Sequence, residues 1–135
     1  MTPGAPGADH QVVHTVSISS ALESFSAEWQ PRRLATVNDH DVKIVRIAGE
    51  FVWHRHPDSD ELFLVVDGQL TIDLRLDGTQ TSVDLGPDEI VVIPAGVEHR
   101  PCADPGTVVI LIEKVGTVNT GDAGGDRTSQ LRDPD

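Results

Sequence analysis

Cysteine is nearly missing from this 135-residue chain: Cys102 stands alone, so no intrachain disulfide can form, and the usage suits a reducing compartment. Basic residues are scarce, 10 against 22 acidic ones, which leaves a net charge of −12 and a pI near 4.6. A surface of that sign repels phosphate backbones and anionic lipid, so neither nucleic acid nor a membrane is expected as a partner. No apolar run is long enough to cross a bilayer. The first 13 residues lack a basic patch followed by an apolar stretch, so no secretory signal is read and the expected location is cytoplasmic. Aromatic residues make up only 4% of the chain, which leaves the core to Val, Ile and Leu. There is no Ser-His-Asp pattern, no phosphate-cradling glycine loop, no nucleotide motif and no repeat period.

What is present suits one domain around one hydrophobic core, with 38% hydrophobic residues concentrated mid-chain. Residues 1–17 are expected to be a flexible segment rich in Pro, Gly and Ala at its start, in which His10 and His14 are solvated. Ser20-Ala21-Leu22-Glu23 has the form of a capping box with Ser20 as N-cap, and Pro31 blocks continuation, which predicts one short N-terminal helix. From Arg33 the pattern turns to strands. Val42, Ile44, Val45 and Ile47 lead to Gly49, and residues 62–66 form a continuous apolar run. Leu70, Ile72, Leu74 and Leu76 alternate with polar residues, the period of a strand with one buried face. Asp67-Gly68 and Asp77-Gly78 bracket that strand and predict a meander, since Asp-Gly suits a tight type I′ turn. Further short strands end in residues 107–115. Many short strands between turn residues indicate an all-β sandwich or barrel. The domain is read as residues 18–118, and residues 119–135 as a flexible tail.

One stretch stands out: GEFVWHRHPDSDELFLVVDG, residues 49–68. Alternate residues of a strand share a side, so His54 and His56 project together, and Pro57-Asp58-Ser59-Asp60 forms a turn that lets Glu61 fold back toward them. His99 follows the later turn Pro94-Ala95-Gly96. Imidazole nitrogens and a carboxylate suit Fe, Mn, Zn, Ni, Co or Cu. Four protein ligands on a six-coordinate ion leave open positions for water or substrate. Taken singly, a His-x-His in a strand is as compatible with a satisfied polar pair.

The combined spacing resembles the cupin family. Gly49, His54, His56, Glu61 and Gly68 follow its first motif, and Pro94-Ala95-Gly96-Val97-Glu98-His99 matches the centre of its second. The chain departs from the pattern in three places. The interval from Gly49 to His54 is one residue short, Asp88 stands where the second motif opens with glycine, and Ala103 stands where it closes with asparagine. GEFVWHRH, DELFLVVDGQL, VIPAGVEHRP and Asn119-Thr120-Gly121-Asp122 extend the likeness to small single-domain cupins often labelled mannose-6-phosphate isomerase-like. The resemblance implies an antiparallel β-barrel or jelly roll (a double-stranded β-helix), His54, His56, Glu61 and His99 as ligands of a divalent metal in its mouth, and a homodimer.

Other residues carry blander expectations. Phe51 and Trp53 face away from the site if the strand is regular, and Trp29 covers an edge of the core. Arg46, Arg55 and Arg100 are candidates for an anionic ligand or for salt bridges. Glu98 points to solvent or serves as a base, Cys102 fills space, and His40 is solvated. No catalytic residue is assigned. Two functions follow: a metalloenzyme acting on a small polar metabolite, of dioxygenase or isomerase/lyase type, or a non-catalytic module that binds a small ligand.

Overall fold

The computed structural model describes residues 12–133; His10, the rest of residues 1–11 and residues 134–135 lie outside them. The first element among the described residues, α1 (Ile18–Glu23), is a short helix. Its N-cap is Ser17, not Ser20: the Ser17 hydroxyl accepts the Ser20 N–H at 3.1 Å, so Ser20 lies inside the first turn. A serine three residues ahead of a serine satisfies an orphan N–H as well as the expected box does. At the other end the Arg46 guanidinium donates to the Leu22 and Phe25 carbonyls and lies over the Phe25 ring. Arg46 therefore closes a helix end and has no part in a ligand site.

Seven strands follow: β1 (Arg32–Val37), β2 (His40–Glu50), β3 (Glu61–Asp67), β4 (Leu70–Leu76), β5 (Thr79–Leu85), β6 (Ile90–Ile93) and β7 (Glu98–Lys114). All named pairings are antiparallel. The strand order is β1-β2-β7-β3-β6, with β4 bonded to β7 and β5. β7 organises the barrel. Its first part, to Ala103, pairs with β4, and its second, from Thr107, pairs with β2 and β3. Pro105 and Gly106 lie between the two parts, Gly106 at a φ of 82°.

The period-two pattern is fulfilled on both faces. Val45, Ile47, Phe63, Val65, Leu70, Ile72, Leu74, Val109 and Leu111 fill the interior. Ile44, Val108 and Ile110 point outward and pack under Ala21 and Phe25 of the helical segment. Each such side chain stabilises the fold by about 1.5–3 kcal/mol when fully buried, which makes the interior the dominant favourable contribution.

The meander holds at one of its two turns. Asp77 and Gly78 have φ of 51° and 76°, and β4 and β5 pair from Leu70↔Leu85 to Leu76↔Thr79, a hairpin as expected. At Asp67-Gly68 the chain crosses instead: β3 and β4 do not pair with each other but with different parts of β7. Gly68 (φ 92°) lies so close to Thr107 that a Cβ there would be 2.6 Å from the Thr107 Cα. The glycine permits this close approach of backbones rather than a two-residue turn.

Past β7, residues 117–132 run back over the barrel. The Asn119 side chain donates to the Trp29 and Arg127 carbonyls at 3.2 and 2.8 Å and accepts the Ser129 N–H. Thr120 is fully buried, and Arg33 N–H bonds the Arg132 carbonyl. The composition of this stretch reads as a tail with little to bury; in the fold its backbone and amide groups find partners on the barrel.

Candidate metal centre

The four residues singled out by spacing converge. His54, His56, Glu61 and His99 are all buried, and one ligand atom from each lies within 4.8 Å of every other. The local structure explains how. After the register shift between Ile47 and Gly49, the chain leaves the β2 ladder, and His54 forms a two-bond bridge with His99 on β7 (N···O 3.0 and 2.8 Å). The turn before β3 is tied to the loop before β7: Gly96 N–H donates to the His56 carbonyl and Ala95 N–H to Asp60 Oδ1. Those bonds hold the two halves of the site at one depth. Glu61 opens β3 facing inward.

Hydrogen bonds also orient the rings. His54 Nδ1 donates to the Val52 carbonyl at 2.8 Å and His99 Nδ1 to the Val97 carbonyl at 2.9 Å. A carbonyl only accepts, so the proton sits on Nδ1 and Nε2 is left to face the site; such outer bonds orient metal-ligating imidazoles. Glu61 Oε1 is 3.1 Å from His99 Nε2 and 3.3 Å from His56 Nε2. Neither ring nitrogen of buried His56 has a hydrogen-bond partner among the described residues. Burying a polar nitrogen without a partner costs free energy. A cation at the centre of the four residues would receive that lone pair and neutralise the Glu61 charge, and the donor set fits a divalent transition metal.

The electrostatics point the same way. Burial pushes His54 down to about 4, with the neighbouring His99 charge acting in the same direction, so its imidazole is neutral at neutral pH. Burial alone would raise Glu61, yet the nearby imidazoles of His56 and His99 outweigh it and hold the carboxylate well below its usual range. Burial likewise opposes charge on His99, but the Glu61 carboxylate prevails and raises it.

A cavity of about 40 Å³ adjoins the site. His54 and Glu61 form part of its wall; Val45, Ile47, Phe63, Val109 and Leu111 form the apolar part. Phe51 differs from the expectation. The residues after β2 are not a regular strand, so Phe51 turns inward, lies edge-on to His54 at 5.5 Å between centroids, and stacks on Trp29 at 4.5 Å. Trp29 is held in a left-handed backbone conformation (φ 62°), which costs a non-glycine residue of order 1–3 kcal/mol. Its indole N–H donates to the Ala48 carbonyl at 3.0 Å.

Sequence reasoning passed over Lys43 and Glu113. Lys43 and Glu113 are almost fully buried, and Lys43 Nζ donates to Glu113 Oε1 at 2.8 Å and to the Thr117 carbonyl at 3.3 Å. Burial, reinforced by the nearby Glu61 charge and opposed by Lys43, raises the Glu113 pKa. The available signal was parity: Lys43 shares the inward side of β2 with Val45 and Ile47, as Glu113 shares that of β7 with Leu111 and Val109.

The remaining candidates lie apart. Arg55 pairs with Asp122, Arg100 with Asp73 and Glu50, and Glu98 with Arg75. Arg75 and Arg100 also cover the Trp53 ring. His40 pairs with exposed Asp39. Cys102 is half-buried, with Sγ 3.7 Å from Asp73 Oδ2, and burial followed by the Asp73 charge raises its thiol pKa. None belongs to the ligand set.

Comparisons with known proteins agree with this geometry. The family model described as a cupin domain matches residues 42–112. An uncharacterised Bacillus subtilis protein, YdbB, is 41% identical over 80 residues, which cover 59% of this chain and 68% of that protein. Acireductone dioxygenase of Rhodopseudomonas palustris is 38% identical over 48 residues, 36% of this chain and 28% of the enzyme's length. Among solved structures, a cupin-2 domain containing protein from Shewanella frigidimarina superposes with a TM-score of 0.67 at 38% identity, covering 78% of this chain and 97% of that one.

Proposed function

The chain belongs to the cupin domain family, and from that premise we propose that it is a small metalloenzyme holding one divalent ion on His54, His56, Glu61 and His99 and acting on a small metabolite by dioxygenase-type chemistry. The observation that carries the metal is the buried cluster itself, with its ligand atoms within 4.8 Å of one another and His56 lacking any other hydrogen-bond partner among the described residues. A bound Fe ion would supply O₂ activation, and another divalent ion Lewis-acid polarisation. The oxygenase reading draws support from the apolar cavity beside the ligands and from the local likeness to a protein named acireductone dioxygenase.

The chain's own residues do the rest. His54 and His99 are each oriented by a bond from Nδ1 to a backbone carbonyl, which turns Nε2 toward the centre of the cluster. Phe51 and Trp29 exclude water from one side of the cavity, which strengthens every interaction within it. A homodimer is part of the same proposal.

Elemental analysis of protein purified without a histidine tag tests the site. Near-stoichiometric metal is expected in the wild type and less than about a tenth of it in His99→Ala, because the remaining ligands are left with an open coordination position. Near-zero metal in the wild type, or no loss in the variant, would refute the assignment. Substrate-dependent O₂ uptake by the iron-loaded protein supports the oxygenase, and metal with tight ligand binding but no turnover supports a binding module. Mannose 6-phosphate is expected to yield no fructose 6-phosphate, since no arginine lines the cavity; appearance of the product would overturn that expectation.

A further inference from the structure

We infer that Asp122 is a positioning residue of the metal centre: next to Gly121, it holds the backbone of Arg55 from the solvent side and so fixes the ligands His54 and His56 on either side of it. The inference goes beyond the proposed function and rests on it only for the metal that the two histidines bind.

The backbone shows why such a residue is needed. Residues 51–60 lie outside the named strands, so no continuous ladder holds the histidines. In an extended segment the backbone groups of successive residues face opposite edges. His54 uses one edge and exchanges two bonds with His99. Arg55 uses the other, and its partner there is Asp122 rather than a strand. Arg55 N–H donates to Asp122 Oδ1 at 2.9 Å, and Asp122 N–H donates to the Arg55 carbonyl at 3.1 Å. One residue thus supplies the acceptor and the donor that an antiparallel neighbour would offer.

His56 depends most on this hold. His54 and His99 are turned by bonds from Nδ1 to carbonyls, whereas His56 Nδ1 has no hydrogen-bond partner among the described residues. Its place follows from the backbone around it: Arg55 on Asp122, and the His56 carbonyl on Gly96 N–H. Gly121 permits the close approach. Its φ is 53°, and a Cβ there would lie 2.9 Å from the Arg55 carbonyl carbon and 3.2 Å from His54 Cδ2, space that only glycine leaves open. The preceding residues anchor the turn. Thr120 is fully buried with its hydroxyl 2.6 Å from that of Thr128, and Asn119 bonds Trp29, Arg127 and Ser129. The run Asn119-Thr120-Gly121-Asp122, which the ligand set does not use, is therefore a clasp on the segment that carries two ligands.

The ion pair between Arg55 and Asp122 matters less. Those side chains are 57% and 44% exposed, and exposed pairs contribute little. The Asp122 charge also acts through space on His54 and His99, so charge and position are separated by variants. Asp122→Asn keeps an acceptor in place without the charge. Asp122→Glu keeps the charge and displaces the acceptor. Asp122→Ala lacks both, and Arg55→Ala removes the ion pair but keeps the backbone bonds.

Cobalt(II) affinity is measured by chelator competition and ligand geometry by the visible cobalt spectrum, with circular dichroism to confirm folding. Asp122→Ala and Asp122→Glu are expected to lose about tenfold or more in affinity, the effect of removing an outer partner of a metal ligand, and to shift the cobalt bands. Asp122→Asn and Arg55→Ala are expected to stay within about threefold of the wild type and to keep its spectrum. Thr128→Val loosens the same segment away from the histidines and is expected to leave affinity and spectrum unchanged. Wild-type affinity in Asp122→Ala, equal losses in Asp122→Asn and Asp122→Glu, or a comparable loss in Arg55→Ala or Thr128→Val each overturns the inference. Should Asp122→Ala not fold, the Asn and Glu variants decide: tighter binding by Asn supports the hold, and equal affinities overturn it. A wild type that binds no cobalt refutes the metal site instead. The hold is then read in the metal-free protein as amide hydrogen exchange at position 55. Exchange about tenfold faster in Asp122→Ala than in the wild type supports it, and equal exchange overturns it.

Discussion

At the scale of the residue, the protons on the four clustered side chains decide how a metal enters. His54 is neutral down to about pH 4 because burial disfavours its charge. His99 is different: the Glu61 carboxylate at 3.1 Å outweighs burial and raises it above the ordinary histidine value. Only the neutral imidazole ligates. A raised pKa keeps a proton on His99 in part of the molecules near neutrality, and the metal must displace it. The sign follows: metal affinity rises with pH through the His99 range and falls on acidification, and binding releases protons. Isothermal titration calorimetry in buffers of different ionisation enthalpy, from about pH 6 to about pH 8, checks this. Affinity that is flat over that range, with no proton release, would contradict the arrangement. Glu61 works in the opposite direction, since its depressed pKa keeps it ionised well below the histidine range, so it adds no proton to that exchange.

Among the elements, the short helix α1 separates two readings of one sequence. Ser20-x-x-Glu23 has the form of a capping box, yet Ser17 is the cap. Three serines lie within residues 17–20, each able to cap a turn, and local chemistry does not choose among them. Tertiary packing does: Ala21 and Phe25 must lie on Ile44, Val108 and Ile110, which fixes the helix phase and so its first residue. Ser17→Ala is expected to lower unfolding free energy by about 1 kcal/mol, and Ser20→Ala by clearly less. Urea denaturation measures both, and equal losses would restore the capping box. The strands show the same division. Alternation in residues 70–76 revealed β4 and its buried face, but not that its neighbour would be β7 rather than β3. That choice depends on Gly68 passing close to Thr107, a contact between residues far apart in sequence.

For the molecule as a whole, the outer face of the sheet is unevenly covered. The segment of α1 and Phe25 shelters Ile44, Val108 and Ile110. On the same sheet Leu62 pairs with Val92 and Leu64 with Ile90, and Ile90 and Val92 are 59% and 48% exposed on β6. Among the described residues β6 pairs only with β3, so it ends the sheet there with an apolar face. Patches of this kind mark association surfaces, which supports the proposed homodimer on this face. Sedimentation equilibrium is expected to show a dimer for the wild type and a monomer for Ile90→Lys/Val92→Lys with unchanged metal content; a monomeric wild type at micromolar concentration would remove the proposal. No helix among the described residues is long and apolar enough to cross a membrane.

The sequence by itself determined the β class, the family and the four residues that come together. Each of these is written in short-range terms: a period of two, turn residues, and His54, His56 and Glu61 within one stretch, with His99 marked by its own turn. Only the tertiary structure decided what surrounds them. Phe51 turned inward because the chain leaves the β2 ladder past Gly49. Glu113 came beside Glu61, and Lys43 beside Glu113, because β2, β7 and β3 are neighbours in one register. Residues 117–132 closed over the barrel through backbone bonds that composition does not reveal. Periodicity tells which side of its own strand a residue faces, whereas the residue it meets there is set by strand pairing across a large separation in sequence.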